Sequence, residues 1–335
     1  MTPALFRIAL EDSTATTLRD MAAGEEALGV TLAGPVAKGH KVAVKPIAAG
    51  DPVLKFGFPI GIATRAIAPG EHVHTHNVAT ALGGSGDYAF APAAHDDARV
   101  EGPAFLGYRR ANGRVGTRNE IWVIPTVGCV ARTAQKIAER AAARHAGKID
   151  GIHAFPHPFG CSQLGDDLQG TRAILAALAS HPNAGGVLIV GLGCENNQIK
   201  GMLEGIDHPN LRTLGAQMAE DEVEEGVALV AELVAAAAAE RTPAPLSELV
   251  LGVKCGGSDG FSGLTANPLV GRMADAVTAA GGTAILTEIP EIFGAEQLLM
   301  ARARDEAVFE AIVALVNDFK AYFTRHGEPV SENPS

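Results

Sequence analysis

Three histidines stand at alternate positions in Gly70-Glu71-His72-Val73-His74-Thr75-His76-Asn77. On an extended strand such residues share one face, with about 6–7 Å between neighbours. Imidazoles grouped in this way suit a divalent metal such as iron(II) or zinc. His72, His74 and His76 are therefore expected to ligate metal or touch substrate, although a single histidine is most often structural.

Four cysteines make the second pattern. Cys129, Cys161, Cys194 and Cys255 each follow an apolar, strand-like run, and the first three directly follow a glycine. Spacings of 32, 33 and 61 contain no CxxC pair, which argues against a zinc ribbon and against a secreted disulfide framework. Open α/β sheets bind ligands beyond the carboxyl ends of their strands, so all four thiols are expected on one functional rim. They read as thiolate ligands, as substrate contacts, or as small buried hydrophobes, without a familiar iron–sulfur spacing.

The loops around these cysteines are polar. Cys194-Glu195-Asn196-Asn197-Gln198 offers a carboxylate and three amides, with Glu195 a catalytic candidate and Asn196 and Asn197 candidate substrate contacts. Gly256, Gly257, Ser258 and Asp259 open a glycine-rich turn whose amides suit a carboxylate or hydroxyls. A plain surface loop is the alternative there. Asp166 is a candidate for proton transfer or simply a helix cap. Arg109, Arg110, Arg114 and Arg118 fall within ten positions, and Arg109 and Arg110 are candidates to clamp a carboxylate. Salt-bridged surface arginines are the competing reading. His40 is a candidate acid or base.

The elements that must position these residues fall in two styles. Met21-Ala22-Ala23-Gly24-Glu25, Ile47-Ala48-Ala49-Gly50-Asp51 and Ile67-Ala68-Pro69-Gly70-Glu71 repeat one pattern of apolar, two small, glycine, acid. Each glycine supplies a tight turn and strand-like alternation follows, which predicts a small β domain over residues 1–80. Residues 81–105 read as a linker. From 106 to 335 apolar runs at 121–127, 151–155, 187–192, 249–253 and 284–287 alternate with helical stretches at 132–146, 171–180, 221–241, 269–280 and 295–326. That alternation predicts an α/β fold with an open, mainly parallel sheet and helices on both faces.

Composition narrows the class. The chain has 335 residues, 47% hydrophobic and 19% charged, with a net charge of −11, so nothing electrostatic favours nucleic acid. No run of 18 apolar residues suggests a membrane span and no secretory signal is visible, so a cytoplasmic protein with reduced thiols is expected. An anionic substrate would need a local basic pocket in so acidic a protein.

Taken in order, these segments resemble the altronate and galactarate dehydratase family. The resemblance rests on Ala37-Lys38-Gly39-His40-Lys41-Val42-Ala43 and Gly70 to Asn77 in a SAF-like β domain. It continues through Tyr108-Arg109-Arg110-Ala111-Asn112-Gly113, Pro125-Thr126-Val127-Gly128-Cys129, Gly160-Cys161-Ser162-Gln163-Leu164-Gly165-Asp166-Asp167, Gly191-Leu192-Gly193-Cys194-Glu195-Asn196-Asn197 and Cys255-Gly256-Gly257-Ser258-Asp259. It implies a hydro-lyase of hexuronate breakdown that converts D-altronate to 2-keto-3-deoxy-D-gluconate. The implied cofactor is iron(II), with manganese(II) as a substitute and an iron–sulfur cluster ranking behind. A homodimer is expected. Related reactions are galactarate dehydration and sulfolactate desulfonation. Chains of the family are expected to continue past the position of Ser335 into a further domain with its own glycine–cysteine loop. A non-catalytic binding or assembly module is the alternative from another class.

Overall fold

The computed structural model describes residues 3–93, 99–257 and 259–331. The chain divides into two compact units, one of Met1–Arg99, Val250–Ala279 and Ala284–Ser335, the other of Val100–Leu249 and Ala280–Thr283. Residues 250–279 and 284–335, expected to continue the α/β domain, thus group with the β-rich N-terminal part.

The repeat builds the first unit. In each copy the acid's amide donates to the first small residue's carbonyl, as Glu25 to Ala22, Asp51 to Ala48 and Glu71 to Ala68. The glycines adopt φ of 80° to 89°, which L side chains resist. The leading apolar residues, Met21, Ile47 and Ile67, are buried, so each turn plants one side chain in the core. The structure shows a fourth copy, Val36-Ala37-Lys38-Gly39-His40, with His40 donating to Ala37 and Gly39 at φ 85°. Here histidine replaces the acid. The strands Leu5–Phe6, Thr14–Thr17, Lys41–Ala43 and His72–Val73 form one antiparallel sheet in that order. A second sheet holds Pro52–Lys55, Phe58–Ala63 and Val78–Ala79.

Residues 82–93, expected to be a featureless linker, form a docked strap. Gly86 exchanges two hydrogen bonds with the Asn317 side chain, and Ala93 donates to the Ala301 carbonyl. Tyr88 reaches a buried ion pair, Lys320 with Glu296 at 2.6 Å, and donates to Glu296 at 2.7 Å. The long helix expected over 295–326 is two helices, Glu296–Met300 and Glu306–Arg325. Asp305 caps the second by accepting from the amide of Val308.

The second unit carries the parallel sheet, ordered Gly151–Ala154, Glu120–Pro125, Ala184–Gly191, Leu211–Gly215. Helices Ala131–Arg144 and Glu222–Ala236 cover one face over Ile121, Val123, Leu188 and Val190. Gly165–Ala179 and Ile199–Leu203 cover the other over Trp122, Ile124, Val187 and Ile189. Alternate strand residues therefore feed opposite cores, which is why these runs are continuously apolar. Leu211–Gly215, an edge strand carrying Arg212, escapes the apolar pattern. The expected strands near 250 and 284 leave this sheet and pair with each other, as Val250–Val253 and Thr283–Leu286. Among the described residues no helix is long and apolar enough to cross a membrane.

Candidate active site

The histidines converge in the first unit. His72 opens the strand His72–Val73, but the chain turns after Val73, so His74 and His76 do not continue one strand face as expected. Asn77, fully buried, shapes that turn by accepting from the His74 amide and donating to the His72 carbonyl. The turn still brings the rings together, with centroids 5.4 Å apart for His72 and His74 and 5.6 Å for His72 and His76. His40 joins from the fourth repeat turn. Its Nδ1 lies 3.0 Å from His72 Nε2, and its ring stacks on His74 at 5.6 Å. Burial first, then the neighbouring imidazoles and Lys41, hold the His72 ring below the ordinary histidine range. Burial, Lys41, His40 and His76 do the same for His74. Neutral imidazole is the form that binds a metal or accepts a proton. Among the described residues no three His, Cys, Asp or Glu side chains are already posed around one ion position. The donor chemistry of the four rings nevertheless suits divalent iron.

The glycine-rich turn belongs to the same unit. A Cβ on Gly260 would lie 2.7 Å from the Gly39 carbonyl oxygen, so two side-chain-free residues let the two loops pass. Lys38 places its ammonium 5.2 Å from the Phe261 ring centre. Asp259, expected to hold substrate, instead accepts from the amides of Phe261 and Ser262 and from the Ser262 hydroxyl. Its carboxylate is committed to starting the following turn. Gly256 and Gly257 are exposed, and Ser258 lies outside the described residues. Cys255 is half-buried and donates its amide to Glu288.

In the second unit the other three cysteines behave as a group. Cys129, Cys161 and Cys194 follow Glu120–Pro125, Gly151–Ala154 and Ala184–Gly191, three neighbouring strands, and all are exposed. That excludes the buried-hydrophobe reading for them. Three thiols thus share the carboxyl-end rim, while Cys255 follows a strand of a different sheet. The strand order reverses between Glu120–Pro125 and Ala184–Gly191, where open α/β sheets place ligands.

The polar residues at that crevice tie the loops together. Glu195, 3% exposed, accepts from the Thr126 hydroxyl at 2.7 Å and from the amides of Leu192 and Gly193 at 3.1 and 2.6 Å. Burial alone would raise its carboxyl. The Thr126 hydroxyl and the Gly193, Glu195 and Leu192 amides outweigh that and hold it below the usual range. A carboxylate so engaged is a poor base, so its task is to shape the loop that carries Cys194. Asn197 is buried, donates to the Thr126 carbonyl and accepts from Arg172. Asn196 is exposed and accepts from the Ser162 amide, joining the Cys161 and Cys194 loops. Asp166 is exposed in the first turn of Gly165–Ala179, where a negative charge favours the helix end.

Arg109 and Arg110, candidates to clamp a carboxylate, are both engaged within the protein. Arg109 makes a two-pronged pair with Glu248 at 2.9 and 3.0 Å. Arg110 donates to the Pro182 carbonyl, Asn119 Oδ1 and the Arg118 carbonyl. Asn119 and Pro182 lie just ahead of parallel strands, so Arg110 sits at the amino-end edge of the sheet, opposite the thiols.

What sequence reasoning missed is a pair of lysines. Lys41 and Lys55 line a cavity of about 490 Å³ with Phe56, His74 and Thr75. A signal was present: Lys41 begins and Lys55 ends a short strand of otherwise apolar residues.

The chain is similar to known proteins along nearly its whole length. Residues 3–81 match the altronate/galactarate dehydratase SAF domain, 107–238 the D-galactarate dehydratase/altronate hydrolase second domain, and 246–335 the D-galactarate/altronate dehydratase C-terminal domain. An altronate dehydratase of Bacillus subtilis (strain 168) is 47% identical over 98% of this chain and 69% of its own length. One from Escherichia coli (strain K12) is 48% identical over 97% and 68%. The L-threo-forming galactarate dehydratase of Escherichia coli (strain K12) is 32% identical over 92% and 62%.

Proposed function

This chain belongs to the altronate and galactarate dehydratase family, and from that membership we propose that it dehydrates D-altronate to 2-keto-3-deoxy-D-gluconate. The observation that carries the reading is similarity at 47–48% identity to two altronate dehydratases along nearly the whole chain. The lower identity to the galactarate enzyme ranks that substrate second. Three exposed thiols suit a reducing compartment, so we place the protein in the cytoplasm.

The reaction takes the proton from C2 and the hydroxyl from C3, which leaves with a proton as water. The resulting enol then tautomerises to the 2-keto acid. The difficult step is C2 deprotonation, because the adjacent carboxylate resists further negative charge. We assign His72, His74 and His76 to hold divalent iron. That ion, when bound, supplies Lewis-acid stabilisation of negative charge on the substrate. His40, in contact with His72, is the proton-transfer residue, since a neutral imidazole accepts and returns a proton near neutral pH. Asn77 positions the cluster by fixing the turn between His72 and His76.

Incubating the chain with D-altronate and iron(II) under reducing conditions should yield a 2-keto acid, and exhaustive chelation should stop it. Turnover that survives chelation would overturn the metal-assisted scheme, and no keto acid under any metal would overturn the assignment. His74→Ala and His72→Ala should each lower bound iron, measured by elemental analysis. Full iron in both would move the site to Cys129, Cys161 and Cys194.

A further inference from the structure

With Arg109 and Arg110 engaged within the protein, a substrate carboxylate needs another cation, and among the described residues the first unit holds two half-buried lysines with neither an ion pair nor a side-chain hydrogen bond. Neither the Lys41 nor the Lys55 side chain has an ion pair or hydrogen bond among the described residues. Both are half-buried. Asp12, whose charge acts on Lys55 without pairing with it, is occupied by the amides of Ala9, Phe56 and Gly57. A chain with 38 acidic residues against 27 basic ones therefore leaves two partly desolvated lysines lining one cavity, the charge of one acting on the other. Such an arrangement is unfavourable unless an anion joins them.

The cavity is also built in a costly way. The loop between Pro52–Lys55 and Phe58–Ala63 puts a non-glycine residue, Phe56, at φ 62° beside Gly57 at 78°. Phe56 tolerates this strained conformation and brings its ring beneath the Lys55 ammonium, 4.6 Å from centre to nitrogen. The other edge of the ring meets Gly263, where a Cβ would lie 2.7 Å from Cζ. The glycine-rich turn thus packs directly on the residue that shelves the lysine. Lys41 follows His40 and occupies the strand next to His72–Val73, pairing with Val73 across the sheet. One wall of the cavity is therefore cationic, and the next is His74 and Thr75.

We infer that Lys41 and Lys55 form the binding site for the carboxylate of a small hydroxy acid, with Thr75 turned toward its hydroxyls. The inference rests on the dehydratase reading only for the identity of the acid. A cavity of about 490 Å³ is of the size that accepts a small ligand. Burial and the charge of Lys41 push the Lys55 ammonium down to about 8, and a bound carboxylate would relieve that cost.

The test is calorimetric titration of D-altronate into metal-free protein, comparing wild type with Lys41→Met, Lys55→Met and the surface control Lys136→Met. Loss of a charge-assisted hydrogen bond should weaken affinity by about tenfold or more for each of the first two and leave the control unchanged. Because each lysine is an unpaired desolvated charge, both variants should also melt at or above the wild-type temperature without ligand. A merely structural lysine would melt lower. Saturable binding of equal affinity in Lys41→Met and Lys55→Met, or no binding to wild type, overturns the site. Product formation after the same samples are reloaded with iron(II) under reducing conditions tests the dehydratase reading separately. Turnover with unchanged affinity in both variants sinks only the lysine site. Lysine-dependent binding without any keto acid sinks only the dehydratase reading.

Discussion

Replacing Glu195 by glutamine removes one charge and changes almost no volume, which isolates the role of that carboxylate. Its oxygens accept three hydrogen bonds, from Thr126 Oγ1, the Leu192 amide and the Gly193 amide, in a site 3% exposed. Glutamine can keep its carbonyl toward Thr126 and Leu192. Its NH2 then faces the Gly193 amide, donor against donor. A hydrogen bond to a charged group contributes about 1.5–3 kcal/mol, and a buried unsatisfied donor costs about 1–3 kcal/mol. Glu195→Gln should therefore destabilise the second unit by about 3–5 kcal/mol, a fall in melting temperature of about 10 °C or more. The pH dependence has a definite sign. The folded carboxyl is held below its unfolded value, so its stabilisation is fully present above the unfolded value of about 4.3 and is lost as pH falls through the folded one. Urea denaturation between neutral and acid pH should show a constant gap between wild type and variant that closes only in strong acid. The loop should also loosen, so that Cys194 reacts faster with a thiol reagent. A gap below about 1 kcal/mol, or one independent of pH down to complete acid unfolding, would refute a structural carboxylate at this position.

Lys320→Met should destabilise the first unit by about 3–5 kcal/mol, because Glu296 would stay buried without its counter-charge. The double change Glu296→Leu with Lys320→Met should recover most of that in thermal melts. In Gly226→Ala a new Cβ would lie 2.4 Å from Ile137 Cδ1 between two packed helices, costing about 1–3 kcal/mol. Adding Ile137→Val should recover only part of that, because it removes Cδ1 and leaves Cγ1 2.7 Å from the new Cβ. Arg109→Ala should leave D-altronate affinity by calorimetry unchanged, because that side chain is paired with Glu248 rather than with a ligand. A clear loss would restore it as a substrate contact.

Much of the fold was legible. The glycine turns at 24, 50 and 70 could be read because a positive φ demands one residue type, and they appear as expected. The continuous apolar runs at 121–127 and 187–192 read as buried parallel strands and are so. The edge strand Leu211–Gly215 was missed because only part of it meets a core. The strap over 82–93 was missed because its aromatic residues pack on a helix more than 200 positions later, and local composition says nothing of that.

The site divides along the same line. Residue identity alone marked the histidines, the thiols and the glycine loops, because few side chains offer those chemistries and motif spacing survives in one dimension. What each polar group was free to do depended on its partners in space. Glu195, Asp259, Arg109 and Arg110 carry the right chemistry and have already spent it on backbone amides, carbonyls or ion pairs. Lys41 and Lys55 look ordinary in a strand and are left without a counter-charge by the fold. A string of residues records which groups are present, and only their packing decides which of them remain unsatisfied and available to a ligand.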